Sequence, residues 1–119
     1  MNEKLQLALR ELSVTIRAHQ DAWPFLDPVD VTTITDYLLV VDTPVDLSLV
    51  DKRARRGSYA SLRAMLLDLH LIVDNCRKYN APETEYVAAA NKLEAFFVAR
   101  AEKLVKDVGE WAMDGLPSR

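Results

Sequence analysis

The stretch NCRKYNAPETEY, residues 75–86, decides how this chain is read. Upstream of it, Leu62, Met65, Leu66, Leu69, Ile72, Val73, Cys76 and Tyr79 recur at helical spacing, so 61–79 reads as the best-buried helix. Pro82 drives Ala81 out of the α region and stops that helix. Asn80 is left at its exit, a position where an asparagine can act as a cap. Thr84 is a good N-cap for the next helix, and Glu85 suits its first turn. That helix carries Tyr86, Ala90, Leu93, Phe97 and Leu104 on one face.

Working back to the N-terminus, residues 2–20 hold Leu5, Leu9, Leu12, Ile16 and His19, one face of an amphipathic helix. Residues 21–46 contain Pro24, Pro28 and Pro44, no helical period and many β-branched side chains. A loop of that length without regular structure is uncommon in a compact domain unless it has a job. Asp46 caps a short helix over 47–56, broken at Gly57 and Ser58. Four helices with one long first crossover predict an all-α four-helix bundle. Gly109 and Pro117 predict that order fades towards the C-terminus. The packed domain is therefore expected over 1–108, with 109–119 a tail or linker. Trp111 fits either packing on the last helix or a place in that linker.

Composition narrows the function. The chain has 119 residues, half of them hydrophobic, enough for one real core. Its net charge is −3, which argues against a general grip on nucleic acid. One cysteine excludes an internal disulfide framework and fits a reducing compartment. No apolar run approaches the roughly 20 residues needed to span a bilayer. The N-terminus does not read as a signal peptide, being charged and amphipathic. Three glycines argue against a turn-rich sheet fold and a phosphate-cradling loop. Charge is unevenly placed. Asp21, Asp27, Asp30, Asp36, Asp42 and Asp46 share the 21–46 loop with no Lys or Arg, whereas 52–63 carries Lys52, Arg53, Arg55, Arg56 and Arg63. An acidic loop would speed encounter with a basic peptide more than it would raise final affinity.

The motifs Trp23-Pro24-Phe25, Pro28-Val29, Asp36-Tyr37, Thr43-Pro44-Val45-Asp46-Leu47, Tyr59, Asp68, Asn75-Cys76 and Tyr79-Asn80 together resemble a bromodomain. They occur in the family's order and spacing over roughly residues 5–105. The short first loop and the run from Asn80 to Tyr86 are similar to bromodomains attached to histone acetyltransferases. The resemblance implies a left-handed four-helix bundle whose first and last interhelical loops frame a pocket at one end. The implied function is recognition of acetyl-lysine, mostly on histone tails, in the regulation of transcription. Val45 stands where methionine is usual and Leu38 replaces a frequent tyrosine. Ala54 sits where the short helix usually has leucine, which predicts looser packing there.

By the same resemblance, the Asn80 amide donates to the acetyl carbonyl. Aspartate at that position could only accept and would repel it. Tyr37 matches the tyrosine whose hydroxyl holds a bridging water to the same carbonyl. Pro24, Phe25 and Val29 would wall the channel, Trp23 would shelve its rim, and Ile34 matches an apolar pocket-facing position. Cys76 and Tyr79 would line the other side, with Tyr86 as gatekeeper and Glu83 and Glu85 adding charge at the mouth. Each has a plainer reading. Asn80 can be only a cap, Tyr37 a wet loop tyrosine, Trp23, Pro24 and Phe25 a loop anchor, and Cys76 and Tyr86 core.

The expected partner is an acetylated histone peptide or another acetylated protein. No nucleic acid, membrane, metal or cofactor is expected, and the implied setting is a larger nuclear chromatin protein or complex. Catalysis finds little support. His19 and His70 lie among apolar neighbours, Asp68 and Asp74 point to different faces of one helix, and Cys76 has no base nearby in sequence. The remaining alternative is a helical interaction bundle that has lost acetyl-lysine binding.

Overall fold

The computed structural model describes residues 2–115. Its elements are α1 (Glu3–Arg17), a 3-10 turn (Gln20–Phe25), α2 (Tyr37–Val40), α3 (Leu47–Arg55), α4 (Leu62–Tyr79), α5 (Glu85–Val108) and a second 3-10 turn (Glu110–Met113). The bundle is α1, α3, α4 and α5, and α2 lies within the first crossover.

The helix ends follow the capping chemistry of the sequence. The Asn2 side chain accepts from the Leu5 N–H at 3.0 Å. Asp46 accepts from the Ser48 N–H at 3.0 Å and opens α3. Ser61 accepts from Ala64 at 3.1 Å, and Thr84 from Val87 at 3.4 Å. Each cap takes up an N–H that has no partner within the helix.

The first helix is shorter than 2–20. Its chain turns extended at His19, which caps the following 3-10 turn by accepting the Asp21 N–H at 3.0 Å. The His19 ring lies against Phe96, centroids 4.3 Å apart, so it rests at the core edge rather than continuing the α1 stripe. The 21–46 loop is not devoid of regular structure either. It begins inside the first 3-10 turn and contains α2.

One apolar core joins Leu5, Leu9, Leu12 and Ile16 of α1 to Leu62, Met65, Leu69 and Val73 of α4 and to Ala90, Leu93 and Phe97 of α5. The expectation of loose packing at α3 does not hold. Leu47, Val50 and Ala54 are all buried, and α3 is also tied down by polar contacts. The buried Asp51 carboxylate takes Arg55 at 2.8 Å, Arg17 at 3.2 Å and the Ser13 hydroxyl at 3.2 Å. Asp68 takes Arg53 at 2.7 Å and the Tyr59 hydroxyl at 2.5 Å. Of the basic 52–63 segment, Arg55 therefore braces α3, and Arg53 ties α3 to α4.

Order continues past Gly109, where the sequence predicts that it fades. Gly109 adopts φ +131°, and the chain turns back on the bundle. Ala112 is fully buried, and Trp111 and Met113 pack on the core. Gly115, at φ +79°, passes so close to the Ala60 carbonyl that a Cβ there would lie 2.0 Å from its oxygen. Of the two readings of Trp111, packing on the domain is the one observed. Pro117 lies outside the described residues.

A surface network joins α4 to α5. The Arg77 guanidinium holds Glu94 and the Asn91 side chain, both at 2.8 Å, and His70 Nδ1 lies 3.1 Å from Glu94. The Arg77 bond, helped by His70, holds the Glu94 carboxyl below its ordinary value. A lowered carboxyl contributes stability above the unfolded value of about 4.3, and that contribution is lost as pH falls through the folded value. Glu94→Gln is expected to shrink the loss of urea resistance on acidification from about pH 5 to pH 3. Denaturant midpoints of both proteins across that range check it.

Candidate functional site

The first crossover is fastened to α4 at three points. The Asn75 amide donates to the Thr43 carbonyl at 2.9 Å. The Tyr79 hydroxyl donates to Asp36 at 2.6 Å, a bond that raises the Tyr79 phenol above its ordinary value. The Tyr37 ring meets the Tyr79 ring edge-on, centroids 5.0 Å apart. Further out, Asp30 folds its own turn by accepting from the Thr32 N–H at 3.0 Å and the Thr33 hydroxyl at 2.8 Å. A polar loop tied to a rigid helix in this way can serve as a fixed wall.

Between that wall and the ends of α4 and α5 lies a cavity of about 460 Å³. Pro24, Phe25, Val29 and Ile34 line it from the crossover, Tyr37 from the start of α2, Cys76, Tyr79 and Asn80 from α4, and Tyr86 from α5. Trp23 is not part of the lining. It is 49% exposed and stands at the rim, its ring 5.7 Å from that of Tyr86. Asp27, Pro28, Val45, Asp46 and Ile72 also line the cavity, and none of them was singled out from sequence as a site residue. Ile72 had a usable signal, being one helical turn before Cys76 and two before Asn80.

The polar groups in this apolar space are few. The Asn80 backbone N–H caps α4 on the Cys76 carbonyl at 2.9 Å. Its side-chain amide donates to the same carbonyl at 3.1 Å and reaches the Cys76 sulfur at 3.6 Å. An NH₂ has two hydrogens, and a thiol is a weak acceptor, so a ligand carbonyl would readily take the second. Tyr37 is 8% exposed, and its hydroxyl has no protein partner among the described residues. Burial, with a smaller effect of Cys76, pushes its phenol up, so it remains a neutral donor. Burial likewise pushes the Cys76 thiol up, against the lowering effect of Asn80 and Arg77, which makes it a poor nucleophile. This arrangement can hold a neutral, amide-sized group.

The family model for the bromodomain matches residues 9–92. The chain belongs to the bromodomain family. It is 36% identical over 97 residues to "Histone acetyltransferase GCN5" of Yarrowia lipolytica, an alignment covering 82% of this chain and 20% of that protein. The chain thus spans about a fifth of that curated relative, and the match lies in its binding module. The structure of the bromodomain from human BAZ1A superposes with a TM-score of 0.78 at 31% identity, covering 82% of this chain and 91% of that one. The bundle is the bromodomain fold, a binding rather than a catalytic architecture. No helix among the described residues is long and apolar enough to cross a membrane.

The acidic residues of the crossover divide by role. Asp30 and Asp46 are engaged in local bonds and Asp36 in the bond from Tyr79, whereas Asp27 stands exposed at the cavity mouth. Glu83 and Glu85 are exposed on the opposite side, before and at the start of α5. The Tyr79–Asp36 bond positions the wall that carries Tyr37. Tyr79→Phe keeps the ring and frees the loop. It is expected to weaken a cavity ligand roughly two- to five-fold with little change in melting temperature. Titration calorimetry and a thermal melt of the same sample check it.

Proposed function

We propose that this bromodomain reads acetylated lysine on histone tails or other chromatin proteins. The observation that carries the reading is a single apolar cavity bearing two neutral donors, the Asn80 amide and the Tyr37 hydroxyl. Acetylation converts an ammonium into a carbonyl acceptor with a terminal methyl. In this reading the Asn80 Nδ2 donates to that carbonyl, and a water on the Tyr37 hydroxyl bridges to it. Pro24, Phe25, Val29 and Ile34 enclose the methyl and stem, with Cys76 and Tyr79 opposite. Tyr86 and Trp23 narrow the entrance.

Magnitudes bound the affinity. Burying about four methylene equivalents contributes on the order of 3 kcal/mol, and one net hydrogen bond about 1. Together these predict a dissociation constant of about 1 mM for the side chain alone. Peptide residues beside the acetyl-lysine would add contacts at the acidic mouth. An unmodified lysine would bury an unpaired ammonium, which costs several kcal/mol. Nuclear residence, and membership of 1–108 with its 109–119 tail in a larger chromatin protein, belong to the same proposal.

Calorimetry with a matched pair of histone-tail peptides, acetylated and plain, tests the reading. Binding confined to the acetylated peptide is the expected result. Equal binding of both, or binding of neither at millimolar concentration, overturns it and favours a bundle without acetyl-lysine affinity.

A further inference from the structure

The bundle has a second concavity, away from the crossover. It is an open groove of about 620 Å³ between α1 and the last turns of α5. Leu12 and Leu104 contribute apolar surface to its floor. Leu7 and Val14, also in its lining, are 51% and 61% exposed. They lie seven residues apart, two turns along one face of α1. The α1 core stripe is Leu5, Leu9, Leu12 and Ile16, so Leu7 and Val14 are not needed to close the core.

The charge at this groove is opposite to that of the molecule. Lys4, Arg10, Arg100 and Lys103 line it against only Glu11 and Asp107, on a chain of net charge −3. Lys103 holds Asp107 at 3.1 Å. Lys4, Arg10 and Arg100 enter no ion pair among the described residues. A second copy of the chain would face these cations with its own, which disfavours a symmetric pair.

We propose that this groove docks an acidic amphipathic helix of a partner protein. A helix laid along α1 and α5 places apolar side chains at i, i+4 and i+7 against Leu7, Val14 and Leu104. The spacing from Leu7 to Val14 is about 10 Å, so about three turns of partner helix suffice. Carboxylates on either side of that stripe meet Lys4, Arg10 and Arg100. The crossover mouth, with Asp27, Glu83 and Glu85, would repel the same segment, so the two sites select partners of opposite charge. The docking does not rest on acetyl-lysine binding.

The test uses a synthetic helix-forming peptide of about 14 residues, with leucines at i, i+4 and i+7 and glutamates on both flanks. A twin peptide carries lysine in place of each glutamate. Titrated into the isotopically labelled domain, the acidic peptide is expected to shift the amide resonances of Leu7, Val14, Arg100 and Leu104. Its affinity should fall several-fold between about 50 and 300 mM NaCl. Val14→Glu, at an exposed site, should leave the melt unchanged and weaken binding at least about ten-fold. The double variant Lys4→Glu, Arg10→Glu should prefer the lysine twin. Equal binding of the two peptides, binding of neither, shifts confined to the crossover, or indifference to Val14→Glu each overturn the proposal. So does a dimer in sedimentation that Val14→Glu abolishes, since it assigns the face to a second copy.

Discussion

Asn80→Ala is expected to remove measurable acetyl-peptide binding while the domain stays folded. The change deletes the amide at the cavity and leaves the ligand carbonyl without its direct donor. An unsatisfied buried acceptor costs about 1–3 kcal/mol, which is roughly five- to 150-fold in affinity. Starting from about 1 mM, such a loss carries the dissociation constant to roughly 5–150 mM, beyond the range of calorimetry. The fold has less at stake. Asn80 is half-buried at the exit of α4, and its side chain makes one bond to the Cys76 carbonyl. The backbone cap on that carbonyl does not depend on the side chain. A stability loss of about 1 kcal/mol or less should follow. Asn80→Asp sharpens the test. It keeps the shape but can only accept, so it should fail as completely as alanine. Unchanged affinity in either variant, with the melt showing a folded protein, would refute the assignment of Asn80.

Sequence reasoning reached those features that depend on neighbours along the chain. The α1 stripe, the Pro82 stop and the caps at Asp46 and Thr84 involve residues a few positions apart, so local periodicity and cap chemistry find them. The two short turns at Gln20–Phe25 and Tyr37–Val40 could not be found that way. Segments of four to six residues show no full apolar period, and isolated helices of that length do not form. The second turn is held by Asn75 on Thr43 and Tyr79 on Asp36, contacts that join residues 32 and 43 positions apart, and the first by burial of Ala22 and Phe25 in the core. The docked tail has the same origin. Its Gly115 lies against Ala60, a surface that the tail's own sequence does not announce. In the cavity, the family motifs pointed to side chains that converge there, with Trp23 expected at the rim, where its ring stands against Tyr86. The Trp23 ring lies outside because Pro24 and Phe25 already fill the wall.

The largest stability effect is expected from Phe97→Ala. Phe97 is fully buried on α5, with its ring packed edge-on to His70 of α4, centroids 5.0 Å apart. It is the largest fully buried side chain in the core and sits where α4 and α5 face each other. Truncation removes the ring's transfer energy and opens a cavity among close-packed core side chains, a cost of about 3–5 kcal/mol. For a domain of this size that corresponds to a melting temperature lower by roughly 10–25 °C. Binding at the crossover should respond differently. Phe97 lies eleven residues along α5 from Tyr86, about 16 Å at helical rise, and is not among the residues that line the cavity. The folded fraction of the variant should therefore keep its acetyl-peptide affinity at 10–15 °C, where roughly the domain's maximum stability lies. Chemical denaturation and calorimetry on one preparation separate the two quantities. A variant that melts early and binds normally shows that the bundle supports the reader cavity without setting its chemistry. If affinity falls with stability in the fully folded sample, the cavity is coupled to the core by packing, and the role given to the crossover bonds at Thr43 and Asp36 is too large.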